Sequence, residues 1–358
     1  MNPPAAASLN PTLETAVLDL ATAWGGPPVS GRWRINPEDF QVREIPLLEP
    51  AGEGEHVWLF IRKREENTDQ VARQLARCAG VRTRDVSYAG LKDRNAVTEQ
   101  WFSVHLPGRQ EPDWRAFETD SVTVLRHARH NRKLRRGALR GNSFRIVVRD
   151  ISGDSGELQR RLKTVASRGV PNYFGVQRFG RAGSNLHTAD RLFEHRRLRL
   201  SRHQRGLVLS AARAYLFNQV LAHRVLGGSW NRVVSGDALQ LAGSHSYFIA
   251  AAADAELQAR CDALDLHPTG PLWGRGDSPV SDICRQLEDQ GLTSCGSWQQ
   301  GLVAAGLRQE RRALRLAVED LHWSWPTPDS LVLEFSLPAG GYATSVLREL
   351  VAGKADQR

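Results

Sequence analysis

Cysteine and long apolar runs are scarce in this chain, and each scarcity excludes a class of protein. The four cysteines, Cys78, Cys261, Cys284 and Cys295, show no Cys-x-x-Cys spacing, which argues against a disulfide framework and against zinc-finger spacing. No apolar run approaches the ~18–20 residues of a transmembrane helix, and no basic segment followed by an apolar core suggests a signal peptide. We therefore expect a cytoplasmic protein with reduced thiols and no membrane span.

Lysine is scarce as well, although the chain is strongly basic. Of 48 basic side chains only five are lysines, and with 39 acidic residues the net charge is +9 and the pI about 9.9. Such a balance favours a polyanionic partner, because the neutralisation of phosphates releases counterions. Arginine suits bidentate phosphate contacts and base stacking, but our interpretation of most of the arginine bias is a GC-rich genome.

Hydrophobic periodicity predicts an α+β protein of two domains, since 358 residues can bury more than one core. The predicted strands are 57–63, 101–106, 122–125, 144–149 and 331–337. The predicted helices are one with Thr68 as its N-cap and Gly80 as its stop, then 155–168, 209–226 and 343–352. Residues 1–30, rich in Ala, Pro and Gly, are predicted to form an extended lead-in. Because strands lie at both ends of the chain and helices dominate the middle, we expect one α+β domain interrupted by an insertion.

Two segments carry dense positive charge. Residues 126–136 contain no acid, and residues 191–205 hold six arginines and one acid, Glu194. A charged run is more often a solvated face than a binding site, but two runs in so basic a chain favour a groove for RNA or DNA. His127 and His130 have no third candidate ligand nearby, so we assign them to the basic run and predict no metal site.

The most informative segment is 90–100, Gly-Leu-Lys-Asp-Arg-Asn-Ala-Val-Thr-Glu-Gln, just before a predicted strand. It places Asp93 between Lys92 and Arg94, two cations that favour the ionised carboxylate. An unperturbed aspartate titrates near pH 3.9, so it is charged at neutral pH without tuning. An aspartate in a turn after glycine is usually a backbone-capping residue, and the segment by itself predicts chemistry only weakly.

Four further stretches occur in a fixed order along the chain with this segment: 36–44, 132–144, 171–180 and 337–350. Together with 209–213 and 216–219 they resemble the TruD family of tRNA pseudouridine synthases. The resemblance runs from about Arg34 to the C-terminus. It implies an α+β catalytic domain with a mixed sheet, formed by residues 1–168 and 317–358 and interrupted by a TRUD domain at 169–316.

The resemblance also implies roles for particular residues. Pseudouridine formation breaks the C1′–N1 bond of uridine, turns the base and joins C1′ to C5, and a carboxylate must either attack or accept a proton. The implied nucleophile is Asp93. The implied substrate-binding residues are Phe40, Asn142, Tyr342, Phe144, as a stacking partner of the base, and Arg34. The implied contacts to the RNA backbone are Lys92, Arg132, Lys133 and Arg135.

Local patterns leave alternatives to several of these roles. Phe40 and Phe144 lie in strand-like segments, where aromatic side chains are usually core, and Asn142 after Gly141 is typical of a turn. Tyr342 after two glycines is compatible with packing at a helix start. Residues 172–175 with Arg178 fit either a base-stacking platform or a packed hinge at a domain boundary.

Arg34 stands where the family commonly has a lysine, and Tyr342 where it commonly has a phenylalanine. Arg and Lys are not equivalent where geometry is tight, and the Tyr342 hydroxyl needs a partner or water.

The expected function is isomerisation of uridine to pseudouridine in tRNA, by resemblance at position 13. The uridine must leave its stack to be reached. We expect no cofactor or metal, tRNA as the partner, no obligatory protein partner and a monomer. The alternative is a non-catalytic RNA-binding protein or RNA chaperone with the same basic cleft, which would not need a carboxylate at Asp93. A metal-dependent nuclease would need a cluster of acids or histidines, which the sequence lacks.

Overall fold

A computed structural model of the chain describes residues 19–194 and 198–353. Within these ranges the chain divides into two compact units. One, the sheet unit, contains residues 27–166, 318–343 and the chain from 350 onward. The other, the helix-rich unit, contains the described residues up to Gly26, then 167–317 and 344–349. The described residues up to Gly26 and residues 344–349 group with the helix-rich unit, and the division into domains at 168/169 and 316/317 stays a prediction.

The sheet unit is built on one ten-stranded sheet. Its strands are β1 (Val29–Trp33), β2 (Phe40–Pro46), β3 (His56–Arg64), β4 (Val86–Tyr88), β5 (Val97–His105), β6 (Val122–His130), β7 (Leu139–Gly153), β14 (Glu319–Thr327), β15 (Ser330–Pro338) and β16 (Val351–Ala352). The main path runs β14-β15-β7-β2-β5-β3-β6, with β1 beside β7 and β16, and β4 beside β5. Two pairs, β2–β5 and β1–β16, are parallel, and the others are antiparallel. The sheet is therefore mixed, as predicted.

The centre of this sheet is covered on both faces. Strand β3 buries Val57, Leu59 and Ile61 with helix α1 (Thr68–Cys78), whose Val71 and Leu75 are fully buried in the same cluster. The residues between them point to the other face and join a second cluster of buried aromatic side chains. Burial on both faces explains why β3 has a continuous apolar run rather than an alternating one. A second helix of this region, α2, spans Ser155–Arg168.

The helix-rich unit has smaller sheets and most of the helices. Its strands are β8 (Val170–Pro171), β9 (Ala238–Leu241), β10 (Tyr247–Ile249), β11 (Leu266–Leu272), β12 (Glu310–Ala313) and β13 (Arg315–Leu316), in a sheet β10-β9-β11-β12 and a pair β13-β8. Its helices are α3 (Ser184–Glu194), α4 (Arg202–Leu226), α5 (Ala255–Asp262), α6 (Asp282–Gly291) and α7 (Gly296–Ala304), and most of α8 (Ala343–Leu350) belongs to it.

Several local predictions need correction. Thr68 is the first helical residue of α1 and Asn67 is the N-cap, because the Thr68 hydroxyl is used elsewhere. The predicted helix 343–352 ends at Leu350, since Val351 and Ala352 form β16 beside β1. Of the predicted lead-in, residues 1–18 lie outside the described part of the chain, and β1 begins within it at Val29.

Two further predicted segments have a different form in the structure. The first half of the basic run 126–136 forms the end of β6. The longest predicted helix begins at Arg202, seven residues before the predicted start at Leu209. Of the second basic run, residues 195–197 lie outside the described part of the chain. In the described ranges no helix is both long and apolar enough to cross a membrane.

Candidate active site

Asp93 lies on the loop between β4 and β5, and buried polar side chains form hydrogen bonds to the backbone of this loop. Gln100 Nε2 donates to the Gly90 carbonyl at 3.0 Å, and the Lys92 amide donates to Thr68 Oγ1 at 3.1 Å. Thr68 Oγ1 in turn donates to Gln100 Oε1 at 2.9 Å. Because Thr68 and Gln100 are buried, the loop backbone is fixed on both sides of its exposed tip.

A buried lysine holds the backbone of Asp93 itself. The ammonium group of Lys63, on β3, donates to the carbonyl oxygens of Glu66 at 2.7 Å and Asp93 at 3.0 Å. The side chain is fully buried, and this burial lowers the pKa of Lys63 to about 8, although the charges of Asp93 and Glu66 act in the opposite direction. The burial of an ammonium group is costly unless it is paired and hydrogen-bonded, so these two carbonyl contacts stabilise the arrangement.

Arg34 reaches Asp93 from the segment between β1 and β2. Its Nη2 lies 2.5 Å from Asp93 Oδ2, and its guanidinium carbon lies 3.8 Å from the centroid of the Phe40 ring. The Arg34 backbone has φ +60°, a left-handed conformation that is uncommon for a residue with a Cβ. Asp93 keeps 45 % of its side chain exposed, so its carboxylate is fixed on one side and accessible from solvent.

A second cluster, the Glu44–Lys92–Asn142 cluster, lies beside the first. Lys92 Nζ contacts Asn142 Oδ1 at 2.5 Å and Glu44 Oε2 at 3.4 Å, and the amide of Trp101 donates to Glu44 Oε1 at 3.3 Å. Glu44 and Asn142 are direct cross-strand partners on β2 and β7. Burial raises the pKa of Glu44 and lowers that of Lys92, and their mutual attraction opposes both shifts.

The RNA-backbone role predicted for Lys92 stays a prediction. The Lys92 side chain is only 6 % exposed and points to Glu44 and Asn142, whose oxygens supply the partners that a buried ammonium group needs. Lys92 therefore holds the side chain of Asn142, a contact that the sequence motif did not indicate, and the role of Asn142 in substrate binding stays a prediction.

Phe40 and Phe144 pack beside each other with ring centroids 6.2 Å apart, and Phe144 stacks on Phe335 at 5.4 Å. All three side chains are buried. This burial agrees with the alternative interpretation of Phe40 and Phe144 as core residues. The Phe40 ring is covered by Arg34 on one face. Contact of either ring with a base stays a prediction, and for Phe40 it requires the Arg34 guanidinium to leave the ring.

Tyr342 follows β15 at the point where that strand passes the site. Leu337 is the register partner of Asn142, and Pro338 that of Gly141. Gly340 has φ +81° and the Gly341 amide donates to the Pro338 carbonyl at 3.0 Å, so a tight turn brings Tyr342, which is half-buried, to the end of the strand. A glycine at the left-handed position lets the turn form without a steric cost.

The basic run 126–136 divides into a paired part and an exposed part. In β6, Arg126 Nη1 contacts Glu49 at 2.8 Å and Arg129 Nε contacts Glu111 at 2.8 Å. Arg132, Lys133 and Arg135 follow the strand and are exposed; Lys133 Nζ donates to the Arg84 carbonyl at 3.1 Å. The predicted backbone contacts are therefore on the part of the run that solvent can reach.

Residues 172–175 match the packed hinge better than the stacking platform. Phe174 is buried, and its amide and carbonyl bond the side chain of Asn218 at 2.9 and 3.0 Å. The Arg312 guanidinium lies 4.2 Å from its ring centroid and covers that face.

Sequence reasoning missed two residues of the site, Lys63 and Glu44. Lys63 lies between the exposed Arg62 and Arg64 at the end of β3, and its inward position follows the alternation of the strand; for Glu44 the signal was an acid at an alternating strand position of β2. No cluster of three or more His, Cys, Asp or Glu side chains suited to a metal ion occurs within residues 19–194 and 198–353.

In the sheet unit a mixed sheet thus presents a half-exposed, arginine-paired carboxylate on a loop whose backbone is fixed. The family model for tRNA pseudouridine synthase D (TruD) matches residues 21–198 and 184–350 of this chain. The chain therefore belongs to the TruD family, as predicted, and is an enzyme of the pseudouridine synthase class.

Individual relatives give the same result. The chain is 54 % identical to the tRNA pseudouridine synthase D of Methylococcus capsulatus over 93 % of this chain and 94 % of the relative. It is 53 % identical to that of Nitrosococcus oceani, over 92 % and 93 %. Its fold is similar to the crystal structure of the putative tRNA pseudouridine synthase D (TruD) from Methanosarcina mazei, with a TM-score of 0.70 at 23 % identity over 93 % of this chain and 94 % of that one.

Proposed function

We propose that this enzyme isomerises uridine to pseudouridine in tRNA at position 13, with Asp93 as the catalytic carboxylate. Membership of the TruD family supports the reaction and the substrate, and the resemblance of the motifs supports the position. The observation that carries the role of Asp93 is its geometry: a carboxylate that is 45 % exposed and held at 2.5 Å by Arg34, on a loop whose backbone is fixed by buried donors.

The chemistry needs no group from outside the chain. Asp93 attacks C1′ of the uridine, a C1′–O bond forms, and the C1′–N1 bond breaks so that the uracil leaves as an anion. The uracil turns, C5 attacks C1′, and the bond to Asp93 breaks, which restores the carboxylate. The C5 proton is then lost and N1 gains one, so that the product is an isomer of the substrate. Attack by the carboxylate requires the ionised form, which the Arg34 cation favours.

The surrounding residues position this carboxylate and the base. Arg34 holds one oxygen of Asp93 and Lys63 holds its backbone carbonyl. The Glu44–Lys92–Asn142 cluster fixes the Asn142 amide so that its nitrogen can donate to an edge of the uracil, since its oxygen is occupied by Lys92. Tyr342 supplies a ring for stacking on the base. Arg132, Lys133 and Arg135 contact phosphates of the RNA.

A non-catalytic RNA-binding protein is not favoured, because the chain belongs to a family of synthases. We further propose that the enzyme acts in the cytoplasm as a monomer. Its catalytic domain is formed by residues 1–168 and 317–358, and its TRUD domain by residues 169–316.

The test uses the purified chain and two unmodified tRNA transcripts that differ only in uridine or cytidine at position 13. Pseudouridine, mapped by carbodiimide modification and primer extension, should appear at position 13 of the first transcript and nowhere in the second. Pseudouridine at another position would overturn the assignment of position 13. Tight binding of the RNA without any pseudouridine would overturn the enzymatic assignment.

A further inference from the structure

The loop between β4 and β5, which carries Asp93, also carries an exposed apolar side chain that the proposed mechanism does not use. Leu91 lies two residues before Asp93, and 66 % of its surface is exposed. Leu47, Leu48 and Leu125, the other large apolar side chains exposed among the described residues of the sheet unit, are less so. A single exposed leucine is common on protein surfaces, and exposure alone therefore assigns it no role.

What distinguishes Leu91 is that both of its neighbours are anchored. The Gly90 carbonyl accepts from Gln100, and the Lys92 amide donates to Thr68, at 3.0 and 3.1 Å. The Lys92 side chain is itself buried against Glu44 and Asn142. With the backbone held on both sides, the Cα–Cβ bond of Leu91 keeps its direction, and the loop presents this side chain to solvent.

An apolar side chain held beside the proposed catalytic carboxylate is suited to a reaction on a base that must leave its stack. A uridine that leaves its stack opens a gap between its two neighbours, and apolar side chains that enter such gaps keep bases unstacked. We propose that Leu91 is a positioning residue that packs against the nucleobase adjacent to the target uridine and keeps the uridine out of its stack. This inference rests on the proposed function, because the target must be a base in RNA.

The hydrogen bonds that hold the loop backbone before RNA binds favour this role of Leu91. The loop backbone loses little freedom on binding because hydrogen bonds already hold it at Gly90 and Lys92, so burial of the Leu91 surface against a base contributes to holding the extruded state. The contact forms only while the uridine is out of the stack. It should therefore act on the step that follows initial binding, while the overall affinity is dominated by phosphate contacts.

The experiment separates base extrusion from chemistry. The Asp93→Asn enzyme is mixed with a tRNA that carries the fluorescent base 2-aminopurine next to position 13, and the fluorescence rises when that base loses its stacking partner. Adding Leu91→Ala to this enzyme should reduce the rise severalfold without changing the dissociation constant, whereas Leu91→Met should retain it. In the otherwise wild-type enzyme, Leu91→Ala should lower kcat about tenfold, the lower end of what burial of a leucine side chain is worth.

The control is Leu226→Ala, which truncates a leucine that is 80 % exposed at the end of α4 in the other unit. A Leu91→Ala enzyme with a normal fluorescence rise and normal kcat would overturn the proposal, as would equal weakening of all RNA binding with no change in the rise. Failure of the proposed function has a different signature: the enzyme with Leu91 intact would give no rise and would make no pseudouridine.

Discussion

The Nη2 atom of Arg34 lies 2.5 Å from Oδ2 of Asp93, while the same guanidinium group lies over the Phe40 ring. Arg34 thus contacts both the Asp93 carboxylate and the Phe40 ring. The arginine is fixed by its left-handed backbone, by the ring beneath it and by the carboxylate beyond it. The pair is partly exposed, and its value to catalysis is therefore mainly geometric rather than a contribution to stability.

The first prediction concerns the carboxylate. Asp93→Asn keeps the shape of the side chain and its ability to accept from Arg34, but it removes the charge with which the residue attacks. We expect turnover, measured as tritium release from 5-tritiated uridine in tRNA, to fall by about a thousandfold or more. The affinity for tRNA should be nearly unchanged. Release at the wild-type rate would show that Asp93 is not the catalytic group.

The second prediction concerns Arg34. Arg34→Gln removes the charge beside Asp93, and we expect kcat to fall about 10- to 100-fold, as for the loss of a hydrogen bond between charged groups. Arg34→Lys keeps the charge and restores the residue common in the family, so it should retain most of the activity. If Arg34→Lys and Arg34→Gln lose the same share of kcat, charge alone does not explain the role of Arg34, and the planar guanidinium group is required.

The third prediction concerns Lys63. Lys63→Met keeps the length of the side chain and leaves the Glu66 and Asp93 carbonyls without their donor. We expect kcat to fall about tenfold, with a loss of about 1–3 kcal/mol in the free energy of unfolding. KM for tRNA should change little. The control is Lys163→Met, at an exposed position. Its kcat, its KM for tRNA and its free energy of unfolding should all be near those of the wild type.

The pH dependence separates positioning by Lys63 from a merely structural role. Its pKa is lowered from 10.5 to about 8 in the folded protein, so activity should decline above pH 8 as the ammonium group loses its charge. Between these two values the folded state binds fewer protons than the unfolded state, and this group therefore adds to the stability as the pH rises. Unfolding driven by Lys63 is thus not the cause of the decline. In Lys63→Met the decline should be absent, and its persistence would assign it to another group.

The fourth prediction concerns Tyr342. If its ring stacks on the base, Tyr342→Phe should keep near-normal turnover, while Tyr342→Ala should lose about 1–3 kcal/mol of stacking. The loss should appear in kcat more than in tRNA affinity. Thermal melting distinguishes this role from packing: a large drop in Tm for Tyr342→Ala would favour a core residue. Loss of turnover in Tyr342→Phe would mean that the hydroxyl takes part.

The fifth prediction concerns the exposed part of the basic run. Substitution of Arg132, Lys133 and Arg135 by alanine should weaken binding to all RNAs and reduce the salt slope of log K by about 0.7–0.9 for each phosphate that is no longer neutralised. Arg126→Ala is the matched control, because that arginine is already paired with Glu49. An unchanged slope in the triple variant would place the run on a face that does not contact RNA.

The family and the mixed α+β class could both be predicted from the amino-acid sequence, while the role of the segment around Asp93 stays a prediction. These predictions rest on local information: short motifs in a fixed order, and strand and helix periods that each span only a few residues. The buried strand β3 and the helices 68–78 and 155–168 could be predicted for the same reason, because each buries its apolar residues at the spacing of its own secondary structure.

Which side chains meet in the site depends instead on the three-dimensional fold. Arg34 and Asp93 are 59 positions apart, and Lys92 and Asn142 are 50 apart; both contacts depend on the pairing of β2 with β5 and β7. A shift of one residue in that register would turn Glu44 away from Lys92, and no local pattern reports the register. The burial of Lys63 and Lys92 was hidden for the same reason: a lysine is expected at the surface until the fold supplies the carbonyl and carboxylate oxygens that make its burial tolerable.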